Sequence, residues 1–449
     1  MSATRFWTSA RVAEALGTDT PAAGSFTGVS TDTRALKAGD LFVALEGERF
    51  DGHRFLDAAR TAGAAAAVVR RGTPAVDGLP LYQVPDTLDA LGLLGRARRR
   101  ALPPGAPVIA VTGSSGKTST KELIRAALGA RWRVHATAEN LNNRIGVPLT
   151  ILSAPDDATA LVIEAGASVP GEIAALRRII EPTVAVITNV GYAHVEGFGS
   201  LEGVMREKLA LAVGVPVIVV GTEPGTLAVE ARRLGRTVVA GGDPSADVHP
   251  DSAELDDAGH PRIRWKGAEV TLSLIGFHQI ENAMIALAAA LEAGVEPGPA
   301  LAALGEVRVP PGRGDVRSVG GLLVIDDTYN ANPGALRSAL RFAQWLAGRQ
   351  RRPLAVVVGS MLELGPESDR LHAAAAGEIA ALEPRLVAAV GAFVPAFAPY
   401  AARLGGRLVT APDAEALGPR LRAALRGDEI VLVKASRGIG LERVLRHLN

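Results

Sequence analysis

The sequence predicts an α/β protein of three domains, and three observations support this. Short apolar runs typical of buried strands alternate with amphipathic helical segments along most of the chain, which is the pattern of parallel sheets covered by helices. Two breaks rich in proline and glycine, at residues 103–105 and 309–312, divide the chain. A length of 449 residues corresponds to about three domains of ordinary size. We therefore expect domains at residues 1–102, 103–309 and 310–449.

The first domain is predicted to be a small α/β unit. Residues 41–45 and 65–69 have the composition of short buried strands, and residues 56–62 form a helical segment between them. The arginine-rich run at 96–100 leads into the first break. We interpret this run as the solvated end of a helix and not as a binding patch.

The other two domains repeat strands and helices. In the central domain we predict strands at 108–111, 160–163, 184–187 and 215–220, a helix at 172–180, and an alanine-rich helix at 282–293 that packs on the parallel sheet. The last domain has predicted strands at 322–325, 354–358, 386–390 and 430–433, with helices at 336–347, 370–381 and 414–425. That alternation predicts a complete doubly wound, Rossmann-like unit.

Composition and charge exclude several classes of protein. The chain has 48 Lys and Arg against 47 Asp and Glu, so we expect no nucleic-acid or anionic-membrane surface. It has no cysteine, which excludes disulfides, thiolate metal sites and a cysteine nucleophile. The N-terminus lacks the apolar core of a secretory signal, and the most apolar later stretch, 209–221, is too short to span a membrane. We expect a soluble, cytoplasmic monomer.

The strongest local pattern is the loop TGSSGKT, which lies between a predicted strand and a predicted helix. Glycines let the backbone wrap around a polyphosphate, while successive N–H groups and the helix N-terminus point at it. The loop is shorter than the full Walker pattern, because Val111 stands where that pattern has its first glycine. The flanking strand and helix favour a phosphate loop over a simple Gly/Ser turn. The sequence thus predicts an ATP site made of Gly113, Ser114, Ser115, Gly116, Lys117, Thr118 and Ser119, in which the lysine neutralises phosphate charge and the threonine hydroxyl binds Mg²⁺.

Two side chains follow the ends of strands in the same predicted sheet. Glu164 follows strand 160–163, and His194 lies in a glycine-rich loop after strand 184–187. Ligands gather at the carboxyl ends of parallel strands, so both side chains are candidates for a metal site beside the phosphate loop. Glu164 is equally well explained as an exposed strand-end carboxylate. For His194, a histidine in a glycine-rich loop is more often a structural residue, and Mg²⁺ prefers oxygen to imidazole.

Lysine is rare in this chain. Only six of the 48 cationic side chains are lysines, so each one stands out, although codon bias explains the excess of arginine equally well. Lys208 lies on a predicted helix at 201–212. A desolvated lysine can lose its proton and react with CO₂ to give a carbamate that ligates a metal, which arginine cannot do. The alternative is an ordinary surface lysine.

The segment DDTYNANP at 326–333 follows a strand and opens a helix in the last domain. Its polar groups are placed to hold a ribose or a Mg²⁺-bound phosphate. An Asx-type N-cap with proline in the first turn is a second interpretation, and the two are compatible. Arg313 follows the second break and is placed to reach a phosphate across a domain cleft.

Taken together, these motifs resemble those of the Mur ligases, specifically the type that adds D-alanyl-D-alanine, over essentially the whole chain. The corresponding segments are TGSSGKTS at 112–119, NLNNRIGVP at 140–148, HVEGFGS at 194–200, DDTYNANP at 326–333 and LVKASR at 432–437. In the first domain, TDTR at 31–34, LFVAL at 41–45 and DGH at 51–53 are similar to the UDP-sugar-binding module of that family.

The resemblance implies an ATP-dependent ligase that joins D-alanyl-D-alanine to UDP-N-acetylmuramoyl-tripeptide through an acyl phosphate, in peptidoglycan synthesis. It implies two Mg²⁺ ions held by Thr118, Glu164, His194 and a carbamylated Lys208. The catalytic residues that it implies are Lys117, Glu164, His194 and Lys208. It implies nucleotide contacts from Asn282, Arg313 and Asp327. The substrate contacts that it implies are Thr31, Asp32, Thr33, Arg34, Phe42, Asn142, Asn143, Asn330, Lys434, Ser436 and Arg437.

The sequence departs from the family pattern at four positions, and two other functions remain as alternatives. Glu139 replaces a glycine before NLNN, Gln279 replaces the first Asn of the HNxxN segment, Ser360 replaces the Asp of GDMLELG, and Ala435 replaces the Gly of KGS. None removes a charged catalytic residue, but the last two bear on contacts with the dipeptide. One alternative is another ligase of the superfamily, of the diaminopimelate-adding or folylpolyglutamate type, which the YNAN and SSGK segments disfavour. The other is a nucleotide-driven switch without catalysis.

Overall fold

The computed structural model of the chain describes residues 6–47 and 50–448. It forms two compact units, one of Met1–Ala110, Trp132–Ala167 and Gly171–Thr183, the other of Val111–Arg131, Ser168–Pro170 and Val184–Asn449. The residues of the predicted central domain are thus divided between the two units, and the predicted boundaries at 102 and 309 stay a prediction. None of the described helices is both long enough and apolar enough to cross a membrane.

The first hundred residues form a small α/β layer, as predicted. A four-stranded parallel sheet has the order β3-β4-β7-β8, and its inner faces are buried. The predicted strands at 41–45 and 65–69 and the predicted helix at 56–62 are confirmed as β4, β7 and α2. The elements are β1 (Trp7–Thr8), α1 (Ser9–Leu16), β2 (Ser25–Phe26), β3 (Val29–Ser30), β4 (Leu41–Val43), β5 (Glu46–Gly47), β6 (Phe50–Asp51), α2 (Leu56–Thr61), β7 (Ala66–Arg70), β8 (Leu81–Val84) and α3 (Thr87–Arg100).

The segment from 108 to 303 is divided between the units, since residues 108–183 alternate between the two and residues 184–303 belong to the second. Its elements are β9 (Val108–Thr112), α4 (Lys117–Gly129), β10 (Val134–Ala136), α5 (Gly146–Leu152), β11 (Ala160–Glu164), α6 (Glu172–Ile180), β12 (Val184–Ile187), α7 (Val195–Phe198), α8 (Leu201–Leu209), β13 (Val217–Val220), α9 (Gly225–Leu234), β14 (Thr237–Val239), β15 (Ser252–Leu255), β16 (Pro261–Trp265), β17 (Ala268–Thr271), α10 (His278–Glu292) and α11 (Pro297–Ala303).

Parallel pairing in both units agrees with the predicted parallel sheet. In the first unit β10 pairs with β11, and in the second unit β13 lies between β12 and β14. The alanine-rich α10 packs on α4 and on β12 and β13, as predicted. The antiparallel sheet β15-β16-β17 was not predicted. Its central strand alternates buried and exposed residues, the period of a sheet with one solvated face.

The arginine-rich end of α3 is only partly solvated, because Arg100 is exposed while Arg98 is buried, so that interpretation was wrong for Arg98. Arg98 is buried and donates hydrogen bonds of 2.8 Å to the carbonyl oxygen of Ala154 and to the carboxylate of Asp156. Arg99 donates to the carbonyl oxygen of Glu181 at 3.1 Å, at the end of α6. Carbonyl groups at helix ends lack partners within their own helix, and guanidinium groups satisfy them here.

The C-terminal segment is the predicted doubly wound unit. Its sheet has the order β18-β19-β23-β20-β21-β22, in which β18 is an antiparallel edge strand and the other pairs are parallel. Apolar clusters cover both faces of this sheet. The elements are β18 (Asp315–Val319), β19 (Leu322–Asp326), α12 (Pro333–Gln350), β20 (Leu354–Val358), α13 (Ser368–Ala381), β21 (Leu386–Val390), α14 (Phe393–Ala396), α15 (Ala401–Leu404), β22 (Leu408–Ala411), α16 (Ala414–Ala424) and β23 (Ile430–Lys434).

Candidate functional site

The loop between β9 and α4 has a conformation that requires glycine at two positions. Gly113 has a φ of +149°, and a Cβ there would lie 1.9 Å from Oγ1 of Thr188. Gly116 has a φ of +78°, and a Cβ there would lie 2.6 Å from Oδ1 of Asn282. Lys117 is the first residue of α4 and donates from Nζ to the carbonyl oxygen of Gly113 at 2.8 Å. The loop therefore leads tightly into a helix N-terminus, which is an anion-binding arrangement.

The segment after β12 holds this loop in place. The N–H groups of Ser114 and Ser115 donate to the backbone and side-chain oxygens of Asn189, at 3.1 and 2.9 Å. Oγ1 of Thr188 donates to the carbonyl oxygen of Ser115 at 2.6 Å. Two of the N–H groups that we expected to face phosphate are thus bonded to Asn189. The sequence prediction missed Thr188 and Asn189, although their position directly after a buried strand is a usable signal.

Two of the predicted catalytic residues, Lys117 and Lys208, act electrostatically on a third, His194. His194 precedes α7 with a left-handed backbone, φ +56°. Burial lowers the pKa of His194, the carboxylate of Glu363 opposes this, and the positive charges of Lys117 and Lys208 lower it further. Lys208 on α8 is only 1 % exposed, and its Nζ lies 5.7 Å from the ring centre of Phe198. Two positively charged side chains thus act on a histidine whose neutral form is favoured by burial.

Glu164 ends β11 in the first unit and is buried, so the alternative of an exposed strand-end carboxylate was wrong. Its N–H donates to Oγ1 of Thr137, and its Oε1 accepts from Nδ2 of Asn142, both at 2.9 Å. Asn142 is itself held by the N–H of Gly166, which donates to its carbonyl oxygen at 2.8 Å. Asn143 accepts N–H groups at the start of α5. Hydrogen bonds within the first unit therefore hold the buried carboxylate of Glu164 in one orientation.

Asn332 links the segment DDTYNANP to the phosphate loop. Its Oδ1 accepts the N–H of Ala335 at 2.9 Å, which makes it the N-cap of α12, with Pro333 in the first turn. Its Nδ2 donates to Oγ of Ser115 at 3.0 Å. The predicted Asx-type N-cap is confirmed. The same amide also contacts the predicted ATP loop, and the sequence prediction did not include Asn332 in the site.

The end of β23 packs on the same segment. Nζ of the buried Lys434 pairs with the carboxylate of Asp327 and donates to the carbonyl oxygen of Asn330 at 3.0 Å. Oγ of Ser436 donates to the carbonyl oxygen of Ala331 at 3.1 Å. Residues that were predicted separately from two motifs therefore form one cluster.

Two arginines and a histidine surround this cluster. The guanidinium of Arg313 lies 3.7 Å from the ring centre of Tyr329, and that of Arg437 lies 5.2 Å from it. Two buried nitrogens, Nε of Arg313 and Nδ1 of His278, have no hydrogen-bond partner among the described residues. Burial lowers the pKa of His278, and the charge of Asp327 opposes this. Buried polar atoms are normally paired, so a ligand with acceptor groups would satisfy this region.

Asn282 is a residue of α10 on the side that packs against α4, beside the phosphate loop. Its Nδ2 donates to Oε1 of Gln279 at 2.9 Å, and its Oδ1 accepts from Oγ1 of Thr120 at 3.2 Å. Gln279, which stands where the family has an asparagine, thus accepts a hydrogen bond from the side-chain amide of Asn282, the residue predicted to contact the nucleotide.

The predicted UDP-binding residues divide into surface and core positions. Thr31, Asp32 and Thr33 are half-buried in one turn, and Arg34 is exposed. The Arg34 guanidinium lies 2.6 Å from the Asp32 carboxylate and lowers the pKa of that carboxyl to about 2. Phe42 is 1 % exposed and belongs to the core beneath the sheet, so packing explains it without any ligand.

A cleft of about 420 Å³ opens next to the DGH segment of the first unit; it is lined by Asp51, His53, Arg54, Leu56, Asp57 and residues 70–76. Nδ1 of His53 lies 2.7 Å from the Asp51 carboxylate, and its Nε2 accepts the N–H of Arg70 at 3.0 Å. Both ring nitrogens are thus used in holding the wall of this cleft.

The donor set for magnesium is incomplete without the modified lysine. Among the described residues, no group of three or more His, Cys, Asp or Glu side chains is arranged to hold a metal ion. The predicted set has two such side chains, Glu164 and His194, together with the hydroxyl of Thr118 and the amine of Lys208. A protonated lysine repels a cation, whereas a carbamate contributes two oxygens. Glu164 belongs to the first unit and the other three residues to the second, so this set of magnesium ligands stays a prediction from the family resemblance.

Three family models match the chain. The Mur ligase family catalytic domain matches residues 25–99, the Mur ligase middle domain matches 111–290, and the Mur ligase glutamate ligase domain matches 312–437. Each match falls within one of the predicted ranges 1–102, 103–309 and 310–449.

Known proteins resemble the chain over nearly its whole length. It is 36 % identical over 435 residues to the UDP-N-acetylmuramoyl-tripeptide--D-alanyl-D-alanine ligase of Bacillus subtilis, covering 94 % of this chain and 93 % of that protein. A crystal structure of MurF from Acinetobacter baumannii matches with a TM-score of 0.88 and 30 % identity, over 98 % of both chains. A crystal structure of the MurF ligase from Thermotoga maritima in complex with ADP matches with a TM-score of 0.80 and 30 % identity, over 94 % of this chain and 96 % of that one.

Proposed function

Because the chain belongs to the Mur ligase family, we propose that it joins D-alanyl-D-alanine to UDP-N-acetylmuramoyl-tripeptide while cleaving ATP to ADP. The observation in this chain that carries the proposal is the cluster around the phosphate loop of the second unit. Lys117 and Lys208 both act electrostatically on His194, and Asn332 contacts Ser115. An ATP-binding loop thus meets the segment that the family resemblance assigns to the nucleotide and the incoming dipeptide.

The reaction has two steps, and the loop serves the first. The tripeptide carboxylate attacks the γ-phosphorus of ATP, which forms an acyl phosphate and releases ADP. The amine of D-alanyl-D-alanine then attacks the acyl carbon, and inorganic phosphate leaves as the amide forms. Lys117 neutralises charge on the transferring phosphoryl group.

We include Mg²⁺ in this proposal, as two ions, with Thr118, Glu164, His194 and a carbamylated Lys208 as the protein ligands. When bound, Mg²⁺ neutralises phosphate charge and polarises the phosphoryl oxygens. Lys208 is 1 % exposed, and carbamylation would join its amine nitrogen to the carbon of CO₂ with loss of a proton.

We propose roles for most of the remaining predicted residues, in binding the nucleotide and the two other substrates. We propose that the turn at 31–34, with Asn142 and Asn143, contacts the UDP-linked tripeptide. Asn282, Arg313 and Asp327 contact the nucleotide, and Asn330, Lys434, Ser436 and Arg437 contact the dipeptide. We propose that the enzyme acts in the cytoplasm, where ATP and UDP-linked sugars are available, and that it acts as a monomer.

The test is phosphate release by the wild-type protein and by Lys117→Ala. Release should require both the UDP-linked tripeptide and D-alanyl-D-alanine, and Lys117→Ala should abolish it, because the charge on the transferring phosphoryl group is no longer neutralised. An unchanged thermal midpoint of the variant would show that the fold is intact. Release that does not depend on the dipeptide would favour the nucleotide switch, and near-normal turnover of Lys117→Ala would refute the role of the loop.

A further inference from the structure

Helix α12 contacts the start of α10 as well as the phosphate loop. Trp345 lies about 20 Å along α12 from its N-cap, Asn332. The ring of Trp345 meets that of Phe277 edge to face, with 5.8 Å between the ring centres. The guanidinium of Arg341, one turn earlier, lies 4.6 Å from the centre of the Phe277 ring. Phe277 directly precedes α10, the helix that carries the predicted nucleotide contact Asn282. One helix therefore joins two of the elements that we assign to ATP.

Phe342 extends this contact into a packed apolar interface. Its ring stacks on that of Trp345, with 6.0 Å between the ring centres, and it belongs to an apolar cluster against which Leu255 and Ile275 also pack. Gly259, in the turn between β15 and β16, has a φ of +96°, and a Cβ there would lie 2.7 Å from Cε2 of Phe342. A side chain at this position would push the helix away. The turn thus approaches α12 as closely as a glycine allows.

The same turn also bonds to the last residues of α12. Nε of Arg349 donates to Oδ1 of Asp257 at 2.7 Å, and Nε2 of Gln350 donates to the carbonyl oxygen of Asp257 at 2.9 Å. The side chains of Arg349 and Asp257 are both more than half exposed, so this ion pair contributes little free energy by itself. The aromatic contacts therefore supply most of the stabilisation of the interface.

We propose that Trp345 is a positioning residue for ATP, because through Phe277 it docks α12 on the start of α10, and the docked helix holds Asn332 against Ser115. The inference rests on the proposed function, which assigns the nucleotide to the phosphate loop and to the segment 326–332. A ligand that binds only the docked arrangement loses affinity in proportion to the fraction of molecules that are not docked. Weakening the contact of Trp345 with Phe277 should therefore weaken nucleotide binding from a distance.

The test is calorimetric titration of the full-length protein with ADP in the presence of Mg²⁺, comparing Trp345→Leu with Tyr400→Leu. Leucine keeps an apolar side chain at each position, and the thermal midpoint shows that each variant is folded. Tyr400 is the matched control, since it is a half-buried aromatic residue outside α12 that packs against the same apolar cluster.

We expect Trp345→Leu to weaken ADP binding by about 2- to 10-fold, which is the loss of one aromatic contact expressed as a ratio of affinities. Tyr400→Leu should bind ADP as the wild type does. Trp345→Phe should recover most of the affinity, because it keeps a ring against Phe277. Unchanged affinity in Trp345→Leu, or an equal loss in Tyr400→Leu, would overturn the inference and leave the proposed function standing.

A double-variant comparison shows whether Trp345 acts through Phe277. The double variant Phe277→Leu/Trp345→Leu should bind ADP no more weakly than Phe277→Leu alone, because the single substitution already removes the contact. Losses that multiply in the double variant would overturn the inference without affecting the proposed function. A wild-type protein that binds no ADP would overturn both.

Discussion

At the scale of single residues, Lys208 is a lysine with 1 % exposure whose charge acts on His194. Burying an ammonium costs free energy that its surroundings must offset. A carbamate would change that group from a cation to an anion, which a bound metal ion would stabilise.

We expect Lys208→Ala to be inactive and to regain part of its activity with acetate or formate. The truncated side chain leaves room for a small carboxylate, whose oxygens take the place of the carbamate oxygens. The measurement is phosphate release against carboxylate concentration. Lys208→Arg is the control, because it keeps the charge, fills the space and cannot form a carbamate; it should be inactive with or without carboxylate. Full activity of either variant, or no rescue of Lys208→Ala, would count against the carbamate.

His372 supports the loop 360–365 through its neutral form. Nε2 accepts the N–H of Met361 at 2.9 Å, and Nδ1 lies 2.8 Å from the carbonyl oxygen of Ser368. Burial lowers the pKa of His372 from its ordinary value of 6.5, while Ser368 and Asp369 oppose this. The unfolded chain therefore binds this proton more readily than the folded one. The stability that the neutral ring contributes is complete above pH 6.5 and is lost as the pH falls through the lowered pKa.

His372→Gln should accordingly reduce the pH dependence of stability. The glutamine can accept the same N–H but does not titrate, so the thermal midpoint should fall less steeply than in the wild type between about pH 7 and pH 5. At neutral pH we expect the variant to be less stable by about 1–2 kcal/mol, from lost packing and one weaker hydrogen bond. Parallel curves for the two proteins would show that His372 does not titrate in this range.

At the scale of elements, the N-cap of α12 stabilises a helix and contacts the phosphate loop with one amide. These two roles use different atoms, because Oδ1 of Asn332 accepts from Ala335 and Nδ2 donates to Ser115. Aspartate keeps the cap but has no N–H to donate, and its charge lies near the expected phosphates. The two roles can therefore be separated by one substitution.

We expect Asn332→Asp to keep the wild-type thermal midpoint while the KM for ATP rises by up to about tenfold, the effect of one lost hydrogen bond. Asn332→Ala should raise the KM and also cost about 1 kcal/mol of stability. Asp413→Ala is the matched control, since Asp413 caps α16 by accepting from Ala416; it should lose a similar amount of stability without a change in KM. An unchanged KM in Asn332→Asp would argue against a contact with the ATP site.

The elements that the sequence predicted best are those that are buried on both faces. β12, β20 and β21 have the predicted bounds 184–187, 354–358 and 386–390, because a buried parallel strand is a continuous apolar run between polar turns. The sheet β15-β16-β17 escaped prediction, since charged residues such as Arg262 and Arg264 interrupt its short apolar pattern. The end of α3 was misjudged because arginine composition does not reveal that Arg98 meets a carbonyl group.

At the scale of the whole molecule, local motifs predicted the parts of the site but not their connections. The phosphate loop, Glu164, His194 and Lys208 each carry a recognisable position after a strand or on a helix. The contact of Asn332 with Ser115 joins residues 217 positions apart, and that of Glu363 with His194 also joins distant segments. Spacing along the chain contains no information on such contacts, because tertiary folding creates them.

Ligand binding should therefore protect different parts of the chain from hydrogen exchange. The residues proposed for the nucleotide lie in the second unit, so ADP with Mg²⁺ should slow exchange at 113–120, 278–282 and 326–332. The UDP-linked tripeptide should slow exchange at 31–34 and 140–146, which lie in the first unit. Lys117→Ala should lose most of the ADP protection and keep that of the tripeptide. Equal protection of residues 31–34 by ADP alone would contradict this division of the substrates between the two units.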